Sequence, residues 1–210
     1  MAASAKQTYH HGELPATLMD LALEHIEAHG TEKLSLRALA REAGVSATAP
    51  YRHFATKQCL LAAIATQGFC TLRNEHAAIA AADLDLEERM LKMSLCYVNF
   101  AIANPTTYQL MFGSVLGDFS EYEMLNQAVE ASYAEVDKLL NELVTTHSLD
   151  VDVRQLGGVL WSFLHGISSL LISEMNVGGD DSKPMQAITA LRQDHEAALR
   201  LLFRDLLRLQ

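Results

Sequence analysis

Cysteine is scarce in this sequence, and the spacing of the few present argues against two kinds of stabilising site. Cys59, Cys70 and Cys96 are odd in number and never stand as Cys-x-x-Cys, so they indicate neither a disulfide framework nor a zinc knuckle. The pattern favours a reducing compartment, and we expect a cytoplasmic protein. Prolines and glycines are also few, with four and eleven in 210 residues, and alternating runs of valine and isoleucine are missing. Half of the residues are hydrophobic, which is enough for a core, so we expect an all-α fold.

Catalytic and cofactor motifs are missing as well. The sequence contains no nucleophile elbow, no glycine-rich phosphate loop and no His-Glu metal motif. His25 and His29 have the i, i+4 spacing of a metal pair, but no third ligand lies nearby in the sequence, and we interpret them as surface histidines. We therefore expect that the protein is not an enzyme and has no cofactor and no metal site.

One uncharged run is long enough to cross a membrane. Residues 155–173, QLGGVLWSFLHGISSLLIS, contain no formal charge. Polar side chains are scattered through the run and no cluster of lysines and arginines flanks it, so we predict a helix buried between other helices or between subunits, and no membrane partner. The N-terminal MAASAKQTYHHGEL has no apolar core, so we do not expect a signal peptide.

The charge of the chain is unevenly distributed. The formal net charge is −10, yet the first 60 residues carry six basic and six acidic side chains, so the excess lies beyond them. Between Lys33 and Lys57 five basic residues accompany one acidic residue, Glu42. A local basic patch on a neutral module is compatible with phosphate contacts over a small footprint.

Apolar residues at intervals of three and four predict helices along the whole chain. Gly30 and Gly44 are expected to end the first two helices, and Ser35, Ser46 and Thr56 to cap the next three. The predicted helices cover residues 13–29, 36–43, 46–54, 56–82, 83–103, 105–113, 121–146, 151–175 and 184–209.

The second and third predicted helices, with a glycine in the turn between them, have the pattern of a helix-turn-helix. Pro50 falls within the third helix, where a proline removes a hydrogen bond. If Ser46 is the cap, Pro50 lies in the first turn and forfeits at most the first intrahelical bond. A helix of about seven residues can bear that loss if it presents side chains to a groove. The alternative is a loop in an ordinary helical bundle.

The run from Leu34 to Ile64, LSLRALAREAGVSATAPYRHFATKQCLLAAI, resembles the DNA-binding module of the tetracycline-repressor (TetR) family of bacterial transcription regulators. The matching features are Gly30, the Ala40–Ser46 segment AREAGVS, the Tyr51–Phe54 segment YRHF, and Lys57. A second resemblance covers NPTTYQLMFG and LWSFLHG in the C-terminal half, which look like the branch named for a Trp-His-Gly motif. The first resemblance implies a DNA-binding domain over residues 1–58 and a helical effector-binding and dimerisation domain over 59–210.

This resemblance implies roles for individual residues. Ser46, Ala47, Thr48 and Ala49 lie where family members contact base edges, and Thr48 is able to hydrogen-bond a base or touch a thymine methyl group. The expected phosphate contacts are Tyr51, His53, Lys57, Ser35 and Arg37. Arg52 is either a further phosphate contact or a solvated side chain. Lys6, Tyr9, His10 and His11 are either an arm along the DNA backbone or a frayed terminus.

The C-terminal half offers soft, apolar side chains suited to a pocket. The family typically encloses an effector there, so we expect a small apolar ligand, with Trp161 and His165 as polar contacts. The expected ligand-binding residues are Met93, Tyr97, Phe100, Met111, Trp161 and His165.

The last two predicted helices carry the expected dimer interface. Ile188, Leu191, His195, Ala198, Leu202 and Leu206 recur at helical spacing, widened by Leu199 and Phe203. Two such helices from each subunit would form a four-helix interface and hold two recognition helices about 34 Å apart.

These observations lead to one expected function and two alternatives. We expect a homodimeric repressor that leaves a palindromic DNA operator when a small effector shifts its population of states. One alternative is a helical enzyme or carrier without DNA binding, against which the basic window argues. The other is a redox sensor acting through Cys59 or Cys70, although we expect buried, inert thiols at both positions.

Overall fold

The computed structural model describes residues 14–174 and 182–206. The expected N-terminal arm, with Lys6, Tyr9, His10 and His11, lies outside the described residues. Within them the chain forms helices and turns and no strand, which confirms the all-α prediction. The helices are α1 (Leu14–His29), α2 (Leu36–Glu42), α3 (Lys57–Ala80), α4 (Leu86–Ala103), α5 (Pro105–Phe112), α6 (Glu123–Thr146), α7 (Val153–Glu174), α8 (Lys183–Gln193) and α9 (His195–Leu206).

Helices α1 and α2 pack with the start of α3 into a small N-terminal module. Its core consists of apolar side chains at helical spacing on each helix, because positions three or four apart share one face. Gly44 ends α2 with φ of +69°, a backbone conformation that glycine adopts without steric cost. The amides of Gly44 and Val45 donate to the carbonyls of Arg41 and Ala40, which closes the helix in a Schellman motif. The buried residues of the module are Leu14, Leu18, Ala22, Leu34, Leu36, Leu39, Ala40, Phe54, Leu60 and Leu61.

The segment expected to form the third helix is not an α-helix in the structure. It consists of turns followed by a 3-10 turn over Pro50–Arg52. The amides of Ala49 and Arg52 donate to the carbonyls of Ser46 and Ala49, three residues back, at 2.9 and 3.2 Å. Pro50 has no N–H, so the bond from residue 50 to Ser46 that an α-helix requires is missing, and the tighter winding takes its place.

Helix α3 continues without a break from Lys57 to Ala80 and joins the N-terminal module to the larger bundle. Thr56 caps it as predicted, since its hydroxyl accepts the amide of Cys59 at 3.1 Å. In the bundle α3 packs against α4, α5 and α6, and α4 packs against α7 and α9. The boundary predicted between residues 58 and 59 therefore falls inside a continuous helix.

The last predicted helix, 184–209, is in fact two helices. The backbone of Asp194 leaves the helical region, with φ of −150° and ψ of 71°, and ends α8. The Asp194 carboxylate then accepts the amide of Ala197 at 2.8 Å and caps α9. The residues from Ile188 to Leu206 therefore lie on two helices, and the prediction of one continuous helix with a single apolar stripe is wrong.

Helix α7 is long and apolar enough over Val153–Ser173 to cross a membrane, by length and composition alone. Core helices of soluble proteins pass the same test. Here α7 packs against α4, α6 and α8, and it buries Leu164, Ile167, Leu171 and Ile172.

Candidate nucleic-acid interface and ligand cavity

The segment between α2 and α3 presents small polar and apolar side chains to the exterior. Ser46, Ala47 and Thr48 are exposed, and Ala49 is half-buried. The hydroxyl groups of Ser46 and Thr48 lie 3.3 Å apart, within hydrogen-bond distance. All four residues precede the 3-10 turn, so the surface expected to read bases is an exposed turn rather than the first turn of an α-helix.

Pro50 is buried while the three residues that follow it are exposed. The tight turn over Pro50–Arg52 places Tyr51, Arg52 and His53 together on the outside, and Tyr51 keeps 45% of its surface accessible. Phenol, guanidinium and imidazole groups are suitable donors to phosphate oxygens. The buried proline thus anchors the segment, and the polar side chains lie beside the exposed turn.

The cations around this turn lack carboxylate partners in the part of the chain that the structure describes. This holds for Arg37, Arg41 and Arg52, which are all exposed. Ser35 is exposed at the start of α2, but its hydroxyl makes no capping bond. Unpaired guanidinium groups on one small module match the polyanionic backbone of DNA.

Lys57 differs from the exposed arginines of the module because its side chain is partly buried and hydrogen-bonded. Its Nζ donates to the carbonyl of Thr31 at 3.3 Å and is partly buried, so the side chain ties the start of α3 to the turn after α1. The sequence suggested a phosphate contact only. The structure gives Lys57 a structural bond in addition to its charge at the helix N-terminus.

Four helices of the larger bundle line a cavity of about 760 Å³. Each contributes side chains at helical spacing, which share the face of the helix that borders the cavity. Helix α5 closes one part with Met111 and Phe112, and the segment between α5 and α6 adds Gly117 and Phe119. The lining residues of the four helices are Phe69, Leu72 and His76 on α3; Met90, Met93, Ser94 and Tyr97 on α4; Val129, Ser132, Tyr133, Val136, Leu139 and Leu140 on α6; and Arg154, Gly157, Gly158, Leu160, Trp161 and Leu164 on α7.

Aromatic rings concentrate at one side of this cavity. The ring of Phe112 lies 4.8 to 6.1 Å from those of five neighbours, centroid to centroid, in tilted and edge-on arrangements. Such geometries are favourable because the edge of one ring meets the face of another. The five neighbours are Phe69, Tyr97, Tyr108, Trp161 and His165.

A chain of hydrogen bonds runs behind this aromatic wall. The hydroxyls of Tyr97 and Tyr108 lie 2.9 Å apart, and the Tyr108 hydroxyl lies 2.7 Å from Nδ1 of His165. Burial raises the pKa of both tyrosines and lowers the pKa of His165, so all three groups are neutral near pH 7. The chain connects α4, α5 and α7 through uncharged groups.

His76 is the titratable side chain deepest in the cavity lining. Only 5% of its surface is exposed, and neither ring nitrogen has a hydrogen-bond partner among the described residues. Burial lowers its pKa, a shift that the backbone groups of Met93 and Ser132 and the charge of Glu75 oppose. Those two backbone groups approach the ring in the manner of hydrogen-bond partners, but neither meets the distance and angle of a hydrogen bond. The imidazole is therefore neutral at pH 7.

The structure places four of the six expected ligand-binding residues on the cavity lining: Met93, Tyr97, Met111 and Trp161. Phe100 is buried in the core but does not line the cavity, and His165 lies behind the lining, where its ring packs against Phe112 and Trp161 and its Nδ1 bonds the Tyr108 hydroxyl. The sequence analysis missed His76 and the whole contribution of α6. The i, i+3, i+7 spacing of Phe69, Leu72 and His76 was a usable signal, because it places the histidine on the inner face of α3.

An apolar stripe on α7 faces outward. Val159, Phe163 and Leu170 are spaced by four and seven residues, so they share one face of the helix, and Val159 is 67% exposed. On α9, Leu201 is 56% exposed while Leu199 and Phe203 are buried within the same chain. Exposed apolar side chains at regular spacing on a helix are typical of a surface that another helix covers.

Cys96 lacks the reactive thiolate that a redox switch requires. The thiol of Cys96 donates to the Glu75 carboxylate at 2.8 Å, and burial together with this bond raises its pKa, which disfavours the reactive thiolate. All three cysteines are free and half-buried. Among the described residues no group of three or more histidine, cysteine or acidic side chains is arranged to hold a metal ion.

Comparison with known proteins agrees with this geometry. Residues 18–64 match the model of bacterial regulatory proteins of the tetR family, and residues 90–184 match a tetracyclin repressor-like C-terminal domain. No curated protein gives a significant match.

Three solved structures illustrate the likeness. A protein of unknown function from Rhodococcus sp. RHA1 is 30% identical, with a TM-score of 0.73 over 95% of this chain and 98% of its own. The TetR family transcriptional regulator PfmR from Thermus thermophilus is 19% identical, with a TM-score of 0.64 over 92% and 98%. The transcriptional regulator FadR from Bacillus subtilis, in complex with stearoyl-CoA, is 14% identical, with a TM-score of 0.68 over 88% and 96%. At 19% and 14% identity, the PfmR and FadR structures show a shared fold alone.

Proposed function

The chain belongs to the tetracycline-repressor family of DNA-binding transcriptional regulators, and from that premise we propose that it is a repressor that a small effector releases from a palindromic operator. The observation that carries the proposal is the segment from Ser46 to His53, whose side chains other than Ala49 and Pro50 are exposed, on a small module whose arginines have no carboxylate partner among the described residues. We further propose that residues 1–58 form the DNA-binding domain and 59–210 the effector and dimerisation domain. The Trp-His-Gly branch remains a prediction from the sequence.

In the proposed complex each side chain of the exposed segment has a distinct task. Thr48, steadied by the hydroxyl of Ser46, contacts a base edge, while Ala47 and Ala49 allow close approach to the groove. Tyr51, Arg52 and His53, with Ser35, Arg37 and Lys57, contact phosphates. Lys57 acts partly by holding α3 to the turn after α1. Because phosphate contacts dominate this list, affinity depends strongly on salt concentration.

Regulators of this family act as dimers, and we propose that the exposed stripe of α7 with α9 forms the interface here. Val159, Phe163 and Leu170 supply an apolar surface without charge, which suits a self-complementary contact. Leu202, a member of the predicted interface stripe, is half-buried against its own chain, whereas Leu201 is exposed. Two such helices from each subunit set the separation of the DNA-binding modules.

Helix α5 is the element that we propose couples the cavity to the DNA-binding module. Its C-terminal residues Met111 and Phe112 line the cavity. Its N-terminal Thr106 donates to the Glu27 carboxylate on α1 at 3.4 Å. A Cβ atom added at Gly68 would clash with Met111, so α5 lies too close to α3 to shift without moving its neighbours. A ligand that displaces Phe112 would therefore move α1, and the dimer would favour a different spacing of its modules.

The effector role is tested by release from DNA. Operator fragments bound to the protein are titrated with the low-molecular-mass fraction of a cell extract, and fluorescence polarisation reports the bound fraction. We expect one fraction to release the operator from the wild-type protein. Thr106→Val, which removes the contact to Glu27, should bind the operator normally but respond less to that fraction. Full release from both proteins would contradict the role of the Thr106 contact.

Localisation and catalysis complete the proposed function. We propose a cytoplasmic regulator without enzymatic activity, since the cavity lining, as far as the structure describes it, contains neither an activated nucleophile nor a paired acid and base. The stearoyl-CoA complex of the Bacillus subtilis regulator is a precedent in this fold for a ligand with a long apolar chain.

A further inference from the structure

The hydrogen bonding of His76 differs from that of three other polar side chains in the cavity lining. The hydroxyls of Ser94 and Ser132 donate to the carbonyls of Met90 and Val129 at 2.8 Å, and Tyr97 is bonded to Tyr108. Backbone groups of Met93 and Ser132 lie near the ring of His76, but neither ring nitrogen makes a hydrogen bond of acceptable geometry with a described residue, although only 5% of His76 is exposed. Buried polar groups are nearly always hydrogen-bonded, because leaving one unpaired costs its full desolvation. An unpaired imidazole in a cavity wall is therefore suited to bind a ligand group.

The charge of the cavity lining restricts the chemical class of the ligand group that His76 binds. Burial lowers the pKa of His76, so at pH 7 the ring has one N–H donor and one nitrogen acceptor. The lining contains one formally charged side chain, Arg154, which is 90% exposed and paired with Asp152 at 3.0 Å. The interior thus offers no countercharge, and burying an ionised ligand there would be costly.

The rest of the lining defines the body of the ligand. Methionine, leucine, valine and aromatic side chains form most of the surface, and a volume of about 760 Å³ is within the range of sites for small organic molecules. Methionine side chains adapt to irregular shapes, and aromatic rings favour flat apolar partners.

We propose that His76 is the polar anchor of the effector, and that the effector is an uncharged, largely apolar alcohol or phenol whose hydroxyl bonds an imidazole nitrogen. A hydroxyl both donates and accepts, so it fits either tautomer of the neutral ring. This inference rests on the proposed use of the cavity for an effector and adds the residue and the ligand class.

The test uses three probes with the same apolar body: pyrene, 1-pyrenemethanol and the anion 1-pyrenecarboxylate. Fluorescence anisotropy measures their dissociation constants with the full-length protein. We expect the wild-type protein to bind the alcohol about tenfold more tightly than pyrene, which is the effect of one buried hydrogen bond. The carboxylate should bind more weakly than the alcohol.

Two variants separate the anchor from general packing. His76→Phe keeps an aromatic ring without nitrogens and should lose the preference for the alcohol, while His76→Gln, which retains a donor and an acceptor, should recover part of it. Tyr97→Phe removes a hydroxyl that is already partnered and should keep the preference. Circular dichroism and thermal unfolding confirm that each variant is folded.

The binding results test the role of His76, the uncharged ligand class and the effector role of the cavity separately. Equal preference for the alcohol in the wild-type protein and His76→Phe would overturn the anchor while leaving the cavity as a ligand site. Tightest binding of the carboxylate would overturn the uncharged class. If none of the probes bound, both this inference and the proposed effector role of the cavity would fail, whereas DNA binding, measured separately, would be unaffected.

Discussion

Thr48 is the exposed hydroxyl-bearing residue on which base reading by this protein should depend. Thr48→Ala removes its hydrogen bond and methyl contact, so we expect a loss of about 1 to 3 kcal/mol of discrimination at one base-pair position. Competition binding with operator variants measures it. The control is Tyr51→Phe, which should weaken operator and unrelated DNA by similar factors because phosphate contacts carry no sequence information. Unchanged sequence preference in Thr48→Ala would remove this residue from the base-reading set.

The lowered pKa of His76 has a consequence for stability against pH. The folded state keeps the ring neutral, while the unfolded chain binds a proton once the pH falls below the ordinary value of 6.5. The free energy of unfolding should therefore decrease as the pH falls below 6.5, with a slope of up to about 1.4 kcal/mol per pH unit for one proton. Urea unfolding of the wild-type protein and His76→Phe at several pH values measures the difference. Identical slopes in the two proteins would show that His76 makes no contribution.

Single-residue roles could be predicted from sequence where local chemistry decides them. Gly30 and Gly44 end helices as predicted and have positive φ, and Thr56 caps α3. The bond from Lys57 to Thr31 spans 26 residues, so no local pattern could indicate it. Likewise, spacing places His76 on an inner face, but the lack of hydrogen-bond partners depends on which residues of three other helices meet it.

At the scale of elements, the turn after α2 depends on the backbone freedom of one glycine. Gly44 has φ of +69°, and a side chain in that conformation costs about 1 to 2 kcal/mol. We expect Gly44→Ala to lose that amount of stability in urea unfolding and to weaken DNA binding, because the turn positions the exposed segment. Gly158→Ala is the matched control, since a Cβ atom there meets nothing within 4 Å and its helical backbone tolerates alanine. Equal stability of the two variants would contradict the role of the Gly44 turn.

The exposed stripe of α7 gives a sharper test of the interface than Leu202, whose half-buried position would make a charge harmful to the protomer itself. Val159→Glu places a carboxylate on the 67% exposed face, and in a symmetric interface it would bury an unpaired charge. We expect sedimentation velocity to show a monomer with unchanged helical circular dichroism. Met124→Glu, at a 74% exposed apolar position on α6, should remain dimeric. A dimeric Val159→Glu protein would exclude this face.

The positions of most helices could be predicted because their apolar spacing and caps are local. The observed helices differ from the predicted ones at two places, and each difference has a local cause that the apolar spacing does not reveal. Pro50 removes an amide and gives a 3-10 turn where a short α-helix was expected. Asp194 is able to end one helix and cap the next, yet the apolar residues on either side keep helical spacing, so the interruption was not recognised.

At the scale of the whole molecule, an acidic protein binds DNA because its charges are segregated. The net charge of −10 lies beyond residue 60, while the exposed arginines of the N-terminal module have no carboxylate partner in the described part of the chain. Repulsion between DNA and the acidic bundle would favour approach by the N-terminal module alone. Family membership follows from matches to both halves of the chain, but neither match identifies the operator or the effector, since those depend on a few exposed or cavity-lining side chains.

The most direct test of the account is selection of genomic DNA fragments by the full-length protein at physiological salt, followed by sequencing. We expect enrichment of a palindromic sequence whose half-sites are about one helical turn apart, or a multiple of it, because a dimer holds two exposed turns at that separation. Enrichment should disappear in the Val159→Glu variant, which loses the second set of phosphate contacts. Recovery of fragments without any shared sequence, by a protein that is dimeric and folded, would contradict the assignment as a sequence-specific regulator.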